Sequence, residues 1–128
     1  MESKPLSPHL QIYRPQLTSV LSITHRLTGI FLGTAGIAVF LYWIAAAALG
    51  PETYKKAVSC LSTPFIKPLM GLWTFAFYYH LCNGIRHLLW DVGWGFSLET
   101  AYKSGYAVVV SAIIFSGVTW LYIWEVIQ

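Results

Sequence analysis

His80, His87, His25 and Arg26 are the side chains of this sequence best suited to hold a charged or metal-bearing group. An imidazole ligates metals and exchanges protons near neutral pH, and a guanidinium is a permanent cation with a planar array of donors. His80 and His87 are two helical turns apart, so on a helix they share one face about 10.5 Å apart along its axis. Asp91 continues that stripe. Ser22, His25 and Arg26 follow at spacings of three and four, which gathers them on one side of another helix. His80 falls near the middle of the stretch Phe65 to Trp90, otherwise composed mostly of Leu, Ile, Phe, Trp, Tyr and small residues. About 20 such residues cross a bilayer, and an ionisable group at that depth costs a few kcal/mol on insertion scales.

Two readings are open for each of these residues. His80 is either a neutral imidazole bonded to a neighbouring helix or a haem ligand. A porphyrin is flat and apolar with two anionic propionates, so it needs an imidazole at mid-depth and basic groups about one porphyrin radius away. His87, His25 and Arg26 supply the second requirement. Gly84, one turn after His80, leaves clearance for a large ring or serves helix packing. Taken alone, Arg26 reads as an anchor that snorkels to lipid headgroups. A low-spin b-type haem takes two axial ligands, and no second histidine lies at mid-membrane: His9 precedes the membrane, and His25 and His87 sit near its edge. The other ligand is therefore expected from a second membrane subunit.

The elements that must position these residues follow from composition. Of 128 residues, 56% are hydrophobic and 10% charged, against roughly 25% charged in soluble domains. This is the composition of an integral membrane protein, and its length allows one domain with no separate soluble core. The net charge of +3 is spread out, which argues against a nucleic-acid partner. Cys60 and Cys82 suggest neither a disulfide nor a metal cluster. Residues 1–18 are polar and carry Pro5, Pro8 and Pro15, predicting an extended arm.

Three spans are predicted behind that arm, at about 20–49, 65–92 and 104–126. The first ends at Gly50 and Pro51. The small residues Ala45 to Ala48 resemble a cleavage site, but a signal-peptide core is only about 7 to 15 residues long, so the span is read as retained. Pro51 to Thr63 is expected to be a loop, with at most a surface turn of helix at Tyr54 to Ser59. Gly93, Gly95 and Ser97 to Thr100 make the next connection. Trp120, Tyr122 and Trp124 form an interfacial belt on a third helix whose role is packing. With three spans, five basic residues (Lys4, Arg14, Arg26, Arg86, Lys103) face three (Lys55, Lys56, Lys67), which favours an N-terminus inside. The expected fold is an all-α membrane protein of three transmembrane helices.

Two stretches also resemble a known family. Lys4-Pro5-Leu-Ser-Pro8-His-Leu-Gln-Ile-Tyr13, followed by Ser22-Ile-Thr-His25-Arg26-Leu-Thr28-Gly29, resembles the N-terminal signature of the cytochrome b subunits of succinate dehydrogenase. His80-x3-Gly84-Ile-Arg86-His87-x3-Asp91-x-Gly93 is similar to their second signature. Together with three spans and the total length, the resemblance covers nearly the whole chain. It departs at Lys4, where the family usually has Arg before the Pro.

The resemblance implies a membrane anchor of respiratory complex II, half of a two-subunit helical bundle with no catalytic residue of its own. Its implied partners are a second small membrane-anchor subunit, an iron–sulfur subunit, a flavoprotein subunit and the lipid bilayer. Its implied cofactor is haem b, with ubiquinone as substrate. By position, His80 becomes the axial ligand to the haem iron, with His25, Arg26 and His87 at the propionates and Gly84 in the pocket. Ser22, Ile23 and Arg26 line the quinone site, while Asp91 stays open between a cap, an ion pair with Arg86 and proton transfer.

Quinone reduction takes two electrons and two protons, so the headgroup belongs at the inner membrane edge, where Ser22 and Arg26 are expected. With Met1 and no transit peptide, the sequence favours the bacterial cytoplasmic membrane over the mitochondrial inner membrane. An anchor of a quinol:fumarate reductase, or a haem-free transporter or channel subunit with His80 and Arg86 on an ion path, are the competing readings. The isolated chain is expected to give no b-type spectrum when expressed without a partner, and a full reduced-minus-oxidised b-type spectrum from it alone would overturn the shared-ligand expectation.

Overall fold

The computed structural model describes residues 14–127, and the side chains of residues 14–126; most of the predicted arm lies outside these. Residues 14–16 are irregular and helix begins at Leu17. The order is α1 (Leu17–Phe31), a π-helical turn (Leu32–Gly36), α2 (Ile37–Ala48), α3 (Pro51–Leu61), α4 (Ile66–Asp91) and α5 (Leu98–Ile127). Among the described residues there is no strand.

α1, the π turn and α2 run on as one helix, Leu17–Ala48. At about 1.5 Å per residue, this helix, α4 and α5 each exceed the roughly 30 Å hydrocarbon thickness of a bilayer. Two are long and apolar enough in composition to cross a membrane, Leu17–Ala48 and Leu98–Val126. α4 has the length but also carries Lys67, His80, Asn83, Arg86, His87 and Asp91, and its polar content sets it apart. Large apolar side chains are exposed on all three long helices, among them Ile30, Leu88 and Leu121. That pattern suits lipid and partner helices and would be costly in water.

The connections use local backbone chemistry. Gly50, at φ +105°, turns the chain out of α2, and Pro51 at the first position of α3 removes a donor that would be unpaired anyway. The segment expected to be a loop is therefore largely helical. Glu52 favours the positive N-terminal end of α3, and Ala57 seals it to the bundle at 1% exposure. At the end of α4, the Gly93 N–H donates to the Trp90 carbonyl at 2.8 Å and the Trp94 N–H to the Leu89 carbonyl at 2.9 Å, with Gly93 at φ +85°. This paired closure needs a left-handed residue, which glycine supplies. Ser97 Oγ then accepts from the Thr100 N–H at 3.3 Å and caps α5. That cap starts α5 six residues ahead of the predicted third span.

Packing depends on small residues and a few polar bonds. Leu21, Tyr79, Val108 and Ala112 form the buried cluster where α1, α4 and α5 meet. A Cβ on Gly105 would come within 2.7 Å of Leu21 Cδ1, so the α1–α5 contact depends on its absence. In the π turn, Gly36 leaves room for Trp73 of α4, whose Nε1 would lie 3.0 Å from a Cβ there. Gly105→Leu is expected to force α1 and α5 apart, at about 1–3 kcal/mol for overpacking; a lowered melting temperature of the detergent-purified protein measures it.

Candidate functional site

Two adjacent stripes of α4 divide the work. Tyr79, Asn83 and Arg86 face inward, at 2%, 0% and 4% exposure. His80, Gly84 and His87, one residue further round, are only half-buried. A step of one residue turns the helix by about 100°, so the first stripe meets α1 and α5 while the second borders the open side.

The inward stripe is a hydrogen-bonded seam. The Tyr79 hydroxyl donates to the Leu21 carbonyl at 2.8 Å, joined by Asn83 Nδ2 at 3.5 Å. Arg86 donates through Nε to Ser104 Oγ at 2.9 Å, through Nη1 to Asn83 Oδ1 at 3.2 Å and through Nη2 to the Ala101 carbonyl at 2.8 Å. Its guanidinium lies 4.0 Å from the Trp90 ring centroid. Every one of these partners is neutral, and Asp91, exposed at the end of α4, makes no ion pair with Arg86. A buried arginine is also not a loop charge. Discounting it leaves four basic residues against three, so the orientation rests on a narrower margin than the sequence count gave.

The second stripe forms a histidine column with α1. The rings of His25 and His80 are stacked, with centroids 4.0 Å apart and planes 8° from parallel. His87 follows at 5.0 Å from His25, and Trp90 closes the column edge-on at 5.1 Å from His87. His25 lies eight residues into α1, where its ring meets both His80 and His87. His80 Nδ1 is 3.1 Å from the His25 carbonyl oxygen and 3.2 Å from Thr28 Oγ1. His25 Nδ1 is buried and has no hydrogen-bond partner among the described residues. An unmet buried polar atom costs about 1–3 kcal/mol. Gly84 faces the column, 3.8 Å from His25 Cε1 as measured to a Cβ built there.

A cavity of about 360 Å³ opens beside the column, lined by Thr18, Ser19, Ser22, Ile23, Arg86, His87 and Trp90. Ser22 and Ile23 thus share one cavity, whereas Arg26 is exposed and does not line it. The guanidinium at the cavity is that of Arg86, which the sequence did not place at the quinone site. Thr28 was likewise missed as a contact of His80, although its place three residues after His25 signals a shared face. The cavity lining combines hydroxyl, guanidinium and imidazole groups with the apolar Ile23 and Trp90.

The chain matches the family described as the succinate dehydrogenase/fumarate reductase transmembrane subunit over residues 1–119. It is 42% identical over 118 residues to a succinate dehydrogenase cytochrome b556 subunit of Rickettsia bellii (strain RML369-C), covering 92% of this chain and 91% of that protein. The like-named subunit of Paracoccus denitrificans is 37% identical over 119 residues, covering 91% and 89% respectively. A mitochondrial succinate dehydrogenase cytochrome b560 subunit of Mus musculus is 40% identical over 117 residues, covering 90% and 69%. Arg86→Lys is expected to lower the melting temperature of the purified protein, because an ammonium cannot bond Ser104, Asn83 and Ala101 together; the loss should be about 1–3 kcal/mol.

Proposed function

The chain belongs to the succinate dehydrogenase/fumarate reductase transmembrane subunit family, and from that premise we propose that it anchors a succinate:ubiquinone oxidoreductase in the membrane. The supporting observation is the histidine column standing beside a cavity that carries Ser22 and Ile23. In this reading residues 1–128 are a single anchor domain with an N-terminal arm and three spans, contributed by Leu17–Ala48, α4 and α5. It is half of a two-subunit bundle. The N-terminus faces the cytoplasm, or the matrix if the source is mitochondrial, and the membrane is the bacterial cytoplasmic or mitochondrial inner one.

Haem b, shared with a second small membrane subunit, fits the column. His80 would hold the iron, and the unmet His25 Nδ1 would meet a propionate, with His87 and the Arg26 cation nearby. Gly84 keeps that side of α4 free of a bulky side chain. The haem supplies reversible one-electron storage close to the quinone. The rings of His25 and His80 stack face to face, an arrangement in which the two would not hold one iron between them, so the other ligand would come from the partner subunit.

Ubiquinone takes the neighbouring cavity. Electrons reach it from the iron–sulfur subunit, which receives them from the flavoprotein subunit that oxidises succinate. Ser22, whose hydroxyl has no partner among the described residues, donates a hydrogen bond to a quinone carbonyl, and Ile23 forms an apolar wall. Arg26 supplies positive charge from the exposed side. Arg86, whose partners are all neutral, adds a fixed cation in the cavity wall, where charge developing before protonation is stabilised. The family also includes fumarate reductase anchors, but the similar proteins above are all succinate dehydrogenase subunits by name.

Ser22→Ala in the assembled complex is expected to reduce ubiquinone reduction on the order of 10-fold or more, in line with losing one stabilising donor. Succinate oxidation with a soluble artificial acceptor should persist. Equal loss in both assays would remove Ser22 from the quinone site.

A further inference from the structure

His80 Nδ1 has two neighbours, the His25 carbonyl oxygen at 3.1 Å and Thr28 Oγ1 at 3.2 Å. A carbonyl oxygen can only accept. The Thr28 hydroxyl has its single hydrogen committed to backbone carbonyls, those of Thr24 and His25, both at 2.9 Å. Toward His80 it too can only accept. Both contacts therefore require the ring proton on Nδ1, which leaves the lone pair on Nε2.

Gly29 completes the seat. A Cβ there would stand 2.9 Å from His80 Cε1, so a bare backbone lets the imidazole settle against α1. His25 packs on the face of the same ring at 4.0 Å between centroids. The ring is thus held at one edge by two acceptors, at Cε1 by the α1 backbone and on one face by His25.

We infer that Thr28 is a positioning residue for His80: with the His25 carbonyl it fixes the Nδ1–H tautomer and presents Nε2 as the metal-binding atom. The inference deepens the haem reading and rests on it. A hydrogen-bond acceptor on the far nitrogen of a ligating histidine orients the ring and increases its basicity, and losing such a partner typically lowers metal affinity by 10- to 100-fold. Increased basicity favours the ferric state, so removing an acceptor moves the haem potential upward.

The test uses the whole purified complex, its assembly checked by succinate oxidation with a soluble acceptor. Thr28→Val keeps the shape and removes the hydroxyl, whereas Thr28→Ser keeps the hydroxyl. Thr28→Val is expected to raise the haem midpoint potential and to weaken haem retention on the order of 10-fold, with Thr28→Ser restoring both toward the parent. If Thr28→Val does not assemble, Thr28→Ala and Gly29→Ala are measured for the same potential shift. A potential and haem content equal to the parent's in every assembled variant overturns the positioning role, even where His80→Ala abolishes the b-type band and so upholds the haem reading. A b-type band that survives His80→Ala with the parent's potential overturns the haem assignment, and the role of Thr28 with it.

Discussion

The three long helices are held in register by one buried run of hydrogen bonds, from the Leu21 carbonyl on α1 through Tyr79, Asn83 and Arg86 on α4 to Ser104 and the Ala101 carbonyl on α5. In an apolar medium hydrophobic burial does little to choose between helix pairings, because lipid tails are as oily as leucine. Specificity then falls to close approach and to polar groups that lose their partners if a helix slips. Arg86 is the extreme case. A slip of one turn would leave a buried guanidinium without Ser104 or Ala101, and a lone cation in that setting costs far more than a lost neutral bond.

This seam explains why the histidines can be arranged as they are. His80 and His87 sit one residue round from Tyr79 and Arg86, so any rotation of α4 that satisfied the arginine differently would carry the histidines off α1. The scaffold stripe fixes the angle and the adjacent stripe inherits it. The result is a half-open column beside a cavity that needs no large hydrophobic core, and the buried cluster of four residues around Leu21 is small for three helices of this length.

Much of this was legible in the chain. Low charge and long apolar runs signalled membrane helices, and the spacing of His80, Gly84 and His87 put them on one face, as found. Ser22 and Ile23 line one cavity, but Arg26, grouped with them in the sequence reading, does not. What the one-dimensional pattern could not carry is rotation and depth between helices. That the His25 ring stacks on His80 could not be read from either segment alone, because it depends on how α1 crosses α4. An ion pair of Arg86 with Asp91 was one open reading of Asp91, but the guanidinium turns inward to neutral acceptors on α4 and α5. The segment after Gly50 read as a loop because it is polar; its helix comes from Pro51 at the first position and from burial of one small residue, Ala57.

The π turn at Leu32–Gly36 has an evolutionary side. A helix that accommodates one extra residue in a wider turn behaves as two modules in rotational series. Because the wider turn absorbs the extra residue, Leu17–Phe31 and Ile37–Ala48 keep their relative facing, and Ala46 stays in its buried position. The widened turn is therefore a place where the helix takes up a one-residue change in length while the half bearing Ser22, His25 and Thr28 stays in alignment with α4.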